Sequence, residues 1–141
     1  MIALKKKLKC ILLIDDDYAT NYIHKRVIDK AEITENVVVV ESGYDALEYL
    51  RETNIEEYPR PDIIFLDINM PGMDGFEFLE EYEKLKELQK GNIILVMLTT
   101  SLNPEDKNKS DSISTINGFR NKPLTAEILQ GVIDDYFPDY K

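Results

Sequence analysis

Four short hydrophobic runs in this chain each end in polar side chains suited to metal or phosphate chemistry. Ile11-Leu12-Leu13-Ile14 leads into Asp15-Asp16, and Ile63-Ile64-Phe65-Leu66 leads into Asp67. Ile94-Leu95-Val96-Met97-Leu98 leads into Thr99, and Gly118-Phe119-Arg120-Asn121 leads into Lys122-Pro123. If the runs are parallel strands of one sheet, these side chains meet at its carboxyl edge, where open α/β sheets bind ligands. Three clustered carboxylates repel one another and call for a cation. No histidine or cysteine lies on these loops, so the donor set suits oxygen-preferring magnesium or manganese and not zinc. Magnesium takes one or two carboxylates and leaves the rest of its shell to water and phosphate oxygens. One acid is then free to act as a nucleophile and form an acyl phosphate. Metal on one side, Lys122 on the other and the Thr99 hydroxyl together neutralise a transferring phosphoryl group. Backbone amides after Asp67 and Thr99 add donors aimed at the same spot. A lone Asp after a strand is ordinarily only a helix cap, and Lys-Pro is a common loop dipeptide. Matched residues at four strand ends are poorly explained by chance.

The elements that must position these groups are legible in the same pattern. Strand-like runs near 9–14, 36–41, 62–66, 93–98 and 117–121 alternate with amphipathic stretches of helical length, which implies right-handed βαβ units and a parallel sheet. The runs are continuous in Val, Ile and Leu, as in strands covered on both faces. Ala19, Tyr22, Ile23, Val27 and Ala31 mark one face of a first helix. Ala46, Leu47 and Leu50, with Gly43 just before them, mark a second. A third runs over about 75–89 with an apolar stripe of Phe78, Leu79, Tyr82, Leu85 and Leu88. Asp74 and Glu77 form a capping-box pair at its start. The last helix carries Ile128, Leu129, Val132, Ile133 and Tyr136 and stops before Pro138. Residues 104–112 hold no side chain for an apolar face, yet Asn103 or Ser101 can cap a helix there, and Pro104 suits its first turn. A short, weakly packed helix is expected.

Bulk properties bound the function. The 141 residues are expected to make one domain, 1–141, with no room for an output domain. A net charge of -10 argues against nucleic-acid binding. The basic run Lys5, Lys6, Lys7 and Lys9 precedes an apolar stretch too short for a signal-peptide core or a spanning helix, so no membrane role and a cytoplasmic location are expected. Cys10 is the only cysteine, which excludes an internal disulfide and a thiolate metal cluster, and it reads as a buried filler. His24 is expected on the surface or facing a partner. The eight tyrosines read as amphipathic packing.

Ile11–Asp16, Leu66-Asp67-Ile68-Asn69-Met70-Pro71-Gly72-Met73-Asp74-Gly75, Leu98-Thr99 and Lys122-Pro123 resemble the receiver domain of bacterial two-component response regulators, of the stand-alone, single-domain type. The resemblance covers nearly the whole chain, and the segment around Asp67 is highly specific. It implies a flavodoxin-like, doubly wound five-stranded parallel sheet of order 2-1-3-4-5 with helices on both faces. It makes Asp67 the phospho-acceptor, with magnesium bound by Asp16, Asp67 and the Asn69 carbonyl, and by Asp15 largely through water. Lys122 pairs with the phosphoryl group and Thr99 hydrogen-bonds it. Phe119 is the aromatic switch, and the Lys122–Pro123 bond is cis. The implied partners are a sensor histidine kinase or a histidine phosphotransfer protein upstream and an unnamed protein downstream. The chain departs from the family at the polar 104–112 stretch, at Phe119 in place of the commoner tyrosine, and at Thr100 in place of a small residue. Asn69 and Ser101 occupy positions at which the family tunes phosphoryl lifetime. Two rivals remain: a magnesium-dependent phosphatase or phosphotransferase using Asp67 on small molecules, and a phosphorylation-independent interaction domain. The first commonly has an acid where this chain has Asn69, and the intact acid, threonine and lysine set argues against the second.

Overall fold

A computed structural model describes residues 4–85, 92–100 and 103–141. Leu88, residues 86–89 of the expected third helix, and Ser101 lie outside the described residues. Five strands, β1 (Leu8–Ile14), β2 (Thr34–Val40), β3 (Ile63–Asp67), β4 (Ile94–Thr99) and β5 (Gly118–Asn121), form one sheet. Their order is β2-β1-β3-β4-β5 and every pairing is parallel. This is the doubly wound order expected from the sequence, with boundaries shifted by one or two residues. The exposed Glu41 lies beyond β2, which instead begins at Thr34.

Side chains alternate across the sheet, so each face builds its own core. Leu12, Ile14, Ile64, Leu66, Leu95 and Met97 face α2 (Gly43–Arg51) and α3 (Gly75–Glu83), meeting Leu47, Leu50, Phe78 and Leu79. Ile11, Leu13, Ile63, Phe65, Val96 and Leu98 face α1 (Tyr18–Ala31) and α5 (Ala126–Tyr136), meeting Ile28, Leu129, Val132 and Ile133. The three inner strands are therefore covered on both sides, which explains their unbroken apolar runs. Edge strand β2 is only partly covered, and Val39 is among its exposed residues.

Each helix starts where a side chain satisfies a free amide. Asp17 accepts from Thr20 N–H, Ser42 from Asp45 N–H and Thr125 from Ile128 N–H. The Asp74–Glu77 pair forms the full capping box expected at α3. The polar stretch does form a helix, α4 (Pro104–Asp111), capped by Asn103 with Pro104 in its first turn. Its one buried side chain is Ser110, whose hydroxyl donates to the Asp106 carbonyl and meets Met97 Sδ. Few apolar contacts hold it, in line with its composition.

The first helix corrects the sequence reading. Ala19, Tyr22 and Ile23 were expected on its buried face, but all three are exposed, Tyr22 at 56% and Ile23 at 51%. The buried positions are Asn21, His24, Ile28 and Ala31. Two polar residues with specific backbone partners turn the helix through part of a revolution relative to its apolar stripe. His24, expected on the surface or facing a partner, is instead 2% exposed within the fold. Among the tyrosines, Tyr18, Tyr22 and Tyr44 are exposed rather than packed.

Candidate functional site

The sheet brings the strand-end residues together as the sequence suggested. Asp15 follows β1, Asp67 closes β3, Thr99 closes β4, and Lys122 follows β5. The β3–β4 register pairs Asp67 with Leu98, one residue before Thr99, and Thr99 pairs with Asn121, one residue before Lys122. One oxygen from each of Asp15, Asp16 and Asp67 lies within 4.8 Å of the others. The Lys122 ammonium reaches into this group, 2.5 Å from Asp15 Oδ2 and 2.9 Å from Asp67 Oδ1.

Local structure fixes each group. Asp15 N–H donates to the Val40 carbonyl at 3.2 Å, and Asp15 Oδ1 accepts from Asp17 N–H at 3.0 Å. The Asn21 amide donates to the Asp15 carbonyl at 2.7 Å. Asp15 and Asp67 are buried, whereas Asp16 is exposed at the mouth. The β3–α3 loop turns through Gly72, whose φ of +79° favours glycine. Gly75 N–H donates to the Ile68 carbonyl at 2.8 Å, and a Cβ at Gly75 would lie 2.6 Å from the Asp67 carbonyl. Only glycine allows the start of α3 to approach the Asp67 backbone so closely. Lys122 N–H donates to the Thr99 carbonyl at 2.9 Å, and the Lys122–Pro123 bond is cis, as expected.

Three carboxylates face one ammonium, which leaves the pocket two negative charges in excess. Burial raises the Asp67 carboxyl above its ordinary range, and Asp15 and Asp16 push the same way while Lys122 opposes them. Burial works to lower the Lys122 ammonium, but its bonds and charge contacts with Asp15 and Asp67 outweigh that and raise it. A buried acid group with a fixed cation beside it has the chemistry that suits a hard divalent ion and a phosphoryl group. Short oxygen-to-oxygen spacing, oxygen-only donors and excess negative charge all fit such an ion. Asn69 is exposed on the loop two residues past Asp67. Phe119 is partly buried against the core that holds Ile113 and Ile116, with the Lys107 ammonium 5.6 Å from its ring centre.

Sequence reasoning missed two contributors. His24 Nε2 accepts from Leu124 N–H at 3.0 Å, just beyond Lys122-Pro123. That bond requires Nε2 to carry no proton, and burial correspondingly lowers the ring's pKa, Asp15 opposing and Lys122 assisting. Thr20, Ile23, His24, Thr100, Lys122 and Pro123 line a cleft of about 190 Å3 beside the acids. Thr100 is exposed there. The second is Asn21, which holds the Asp15 carbonyl. Neither is announced by apolar periodicity; the only signal is a polar residue at helical spacing from Ile28 and Ala31.

Comparison with known proteins agrees with this geometry. The family model of the response regulator receiver domain matches residues 11–134. Response regulator Rcp1 of a Synechocystis strain is 34% identical over 99 residues, which cover 70% of this chain and 66% of Rcp1, just under two thirds of its length. A two-component response regulator of Cytophaga hutchinsonii superposes with a TM-score of 0.81 at 31% identity, covering 92% of this chain and 97% of that one. A manganese-bound form of response regulator Rcp1 superposes with a TM-score of 0.72 at 30% identity, covering 89% of this chain and 92% of that one. Among the described residues no helix is long and apolar enough to cross a membrane. The parallel 2-1-3-4-5 sheet, the acids and lysine at its carboxyl edge and the matched segment place this chain in the response regulator receiver domain family.

Proposed function

We propose that this protein accepts a phosphoryl group from a phosphohistidine donor onto Asp67 and signals through a changed binding surface. The observation that carries this reading is the Lys122 ammonium 2.9 Å from Asp67 Oδ1, with Asp15 and Asp16 completing an acidic pocket at the sheet edge. A carboxylate oxygen of Asp67 forms the new P–O bond as the P–N bond of the donor breaks. The electron pair of that bond returns to the donor imidazole. Lys122 exchanges its bond to Asp67 for one to the phosphoryl oxygens, and Thr99 supplies a hydroxyl donor at the end of β4. Asp16, Asp67 and the Asn69 carbonyl would hold magnesium, or manganese as in the Rcp1 structure, with Asp15 acting largely through water. Bound there, the ion supplies positive charge to the equatorial oxygens.

The donor is a sensor histidine kinase or a histidine phosphotransfer protein, in the cytoplasm. Output runs through Thr99 and Phe119 to the surface made by α4, β5 and α5, where a downstream protein reads the state. The partners are proteins, with no nucleic acid and no membrane, and residues 11–134 work as a receiver domain. It takes part in its own phosphorylation and dephosphorylation without turning over a small-molecule substrate. The small-molecule phosphatase reading is disfavoured because Asn69 carries an amide, far too weak an acid to protonate a leaving group, at the position of a general acid. The test is transfer from a radiolabelled, autophosphorylated histidine kinase core. Label should move to the wild type in magnesium, and neither in EDTA nor to Asp67→Asn. Steady hydrolysis of p-nitrophenyl phosphate by the wild type, with no label retained from the kinase, would support the enzyme instead.

A further inference from the structure

We infer that His24 is a positioning residue for Lys122, acting through the backbone of Leu124. The inference rests on the phospho-acceptor reading of Asp67.

Lys122 must hold its ammonium between Asp15 and Asp67 at the end of a long, flexible stem. Its backbone is fixed on one side by Lys122 N–H donating to the Thr99 carbonyl. The next residue, Pro123, has no N–H to anchor anything. The first donor beyond it is Leu124 N–H, and that donor goes to His24 Nε2 at 3.0 Å, a buried bond between residues far apart in sequence. His24 is therefore the second fixed point of the segment that carries Lys122. It is 2% exposed and stands on the buried face of α1 one turn after Asn21. Asn21 in turn donates to the Asp15 carbonyl at 2.7 Å. One helix thus ties down both the acid loop and the lysine loop. An aliphatic side chain at residue 24 would fill the space but leave Leu124 N–H unbonded and the lysine loop free to drift. Phosphoryl transfer depends steeply on such placement, since a displacement near 1 Å can cost on the order of a hundredfold in rate.

A role through Lys122 has a signature that a loosened fold lacks. The ammonium competes with a metal ion for the same carboxylates. If His24→Leu lets Lys122 drift, phosphorylation should slow while magnesium binding stays equal or tightens. If the change merely loosens the pocket, both should weaken together. His24→Gln places an amide oxygen near the position of Nε2 and should restore the bond; His24→Asn is too short to reach.

The experiment measures phosphorylation of full-length protein by phosphoramidate, followed by intact mass, and magnesium affinity by titration calorimetry. The expected result is a rate about tenfold lower in His24→Leu, an unweakened magnesium affinity, and recovery to within about twofold in His24→Gln. A wild-type rate in His24→Leu, a joint loss of rate and magnesium affinity, or a His24→Gln as slow as His24→Leu would each overturn the inference. Should His24→Leu fail to fold, the same comparison between His24→Gln and His24→Asn decides it by the same criteria. A wild type that takes no phosphoryl group refutes the acceptor reading itself. A labelled wild type with an indifferent residue 24 refutes only the role of His24.

Discussion

Asp67→Asn should raise the stability of the metal-free protein at neutral pH. Asp67 has one oxygen within 4.8 Å of oxygens of Asp15 and Asp16, and the Lys122 ammonium at 2.9 Å. At an effective dielectric of about 20, each carboxylate neighbour costs at least about 3.5 kcal/mol, since 4.8 Å is the upper limit of the spacing, and the ammonium returns about 5.7 kcal/mol. The charge is then unfavourable by at least about 1 kcal/mol before the cost of burying it is added. Removing the charge does not strand the lysine, because Asp15 Oδ2 stays 2.5 Å from it. A gain of about 1–2 kcal/mol is expected, or about 3–8 °C in melting temperature.

The pH dependence carries the sign. Burial first, then Asp15 and Asp16, raise the Asp67 carboxyl in the folded protein above its ordinary 3.8. Between those two values the native state holds a proton on Asp67 that the unfolded chain has lost, so the contribution of this group to stability rises as pH falls through that window. The advantage of Asp67→Asn should be complete above the raised value and gone below about 3.8. Urea unfolding in EDTA at stepped pH, followed by circular dichroism, measures it. An asparagine variant less stable than wild type at pH 7, or an advantage that persists unchanged to the acid end, refutes the reasoning.

Three further outcomes follow from the same geometry. Magnesium should raise the melting temperature of the wild type in proportion to occupancy, and Asp16→Ala should lose most of that shift; an equal shift in the variant contradicts the acidic site. Gly75→Ala should destabilise by about 1–3 kcal/mol, because its Cβ would lie 2.6 Å from the Asp67 carbonyl. Chemical denaturation checks this, and a neutral result would mean the β3–α3 turn relaxes freely. Beryllofluoride with magnesium should change hydrogen exchange along α4 and β5, the weakly anchored elements, as well as around the acids. Changes confined to the loops of Asp15, Asp16 and Asp67 would remove α4 and Phe119 from the switch.

The site was legible because its residues sit at strand ends, where a continuous apolar run stops abruptly at a polar group. That signal located Asp15, Asp67, Thr99 and Lys122, and the same runs fixed the sheet. The buried face of α1 was not legible. Apolar periodicity favoured Tyr22 and Ile23, whereas the fold buries Asn21 and His24, whose value lies in hydrogen bonds to the Asp15 carbonyl and Leu124 N–H. Partners so distant in sequence leave no local pattern. Arg60 escaped notice for the same reason: its guanidinium donates to the carbonyls of Tyr49, Leu50 and Glu52 and closes the end of α2. The polar 104–111 segment forms a helix because Asn103, Pro104 and the Lys107–Asp111 pair supply local support where packing is scant.

Intact-mass spectrometry of wild type and Asp67→Asn after exposure to phosphoramidate and magnesium tests the central claim most directly. The wild type should gain one phosphoryl group, lost again on mild alkaline treatment as an acyl phosphate requires, and the variant should gain none. A variant that still takes up one phosphoryl group, or a wild type that takes up none, would contradict the assignment of Asp67 as the acceptor.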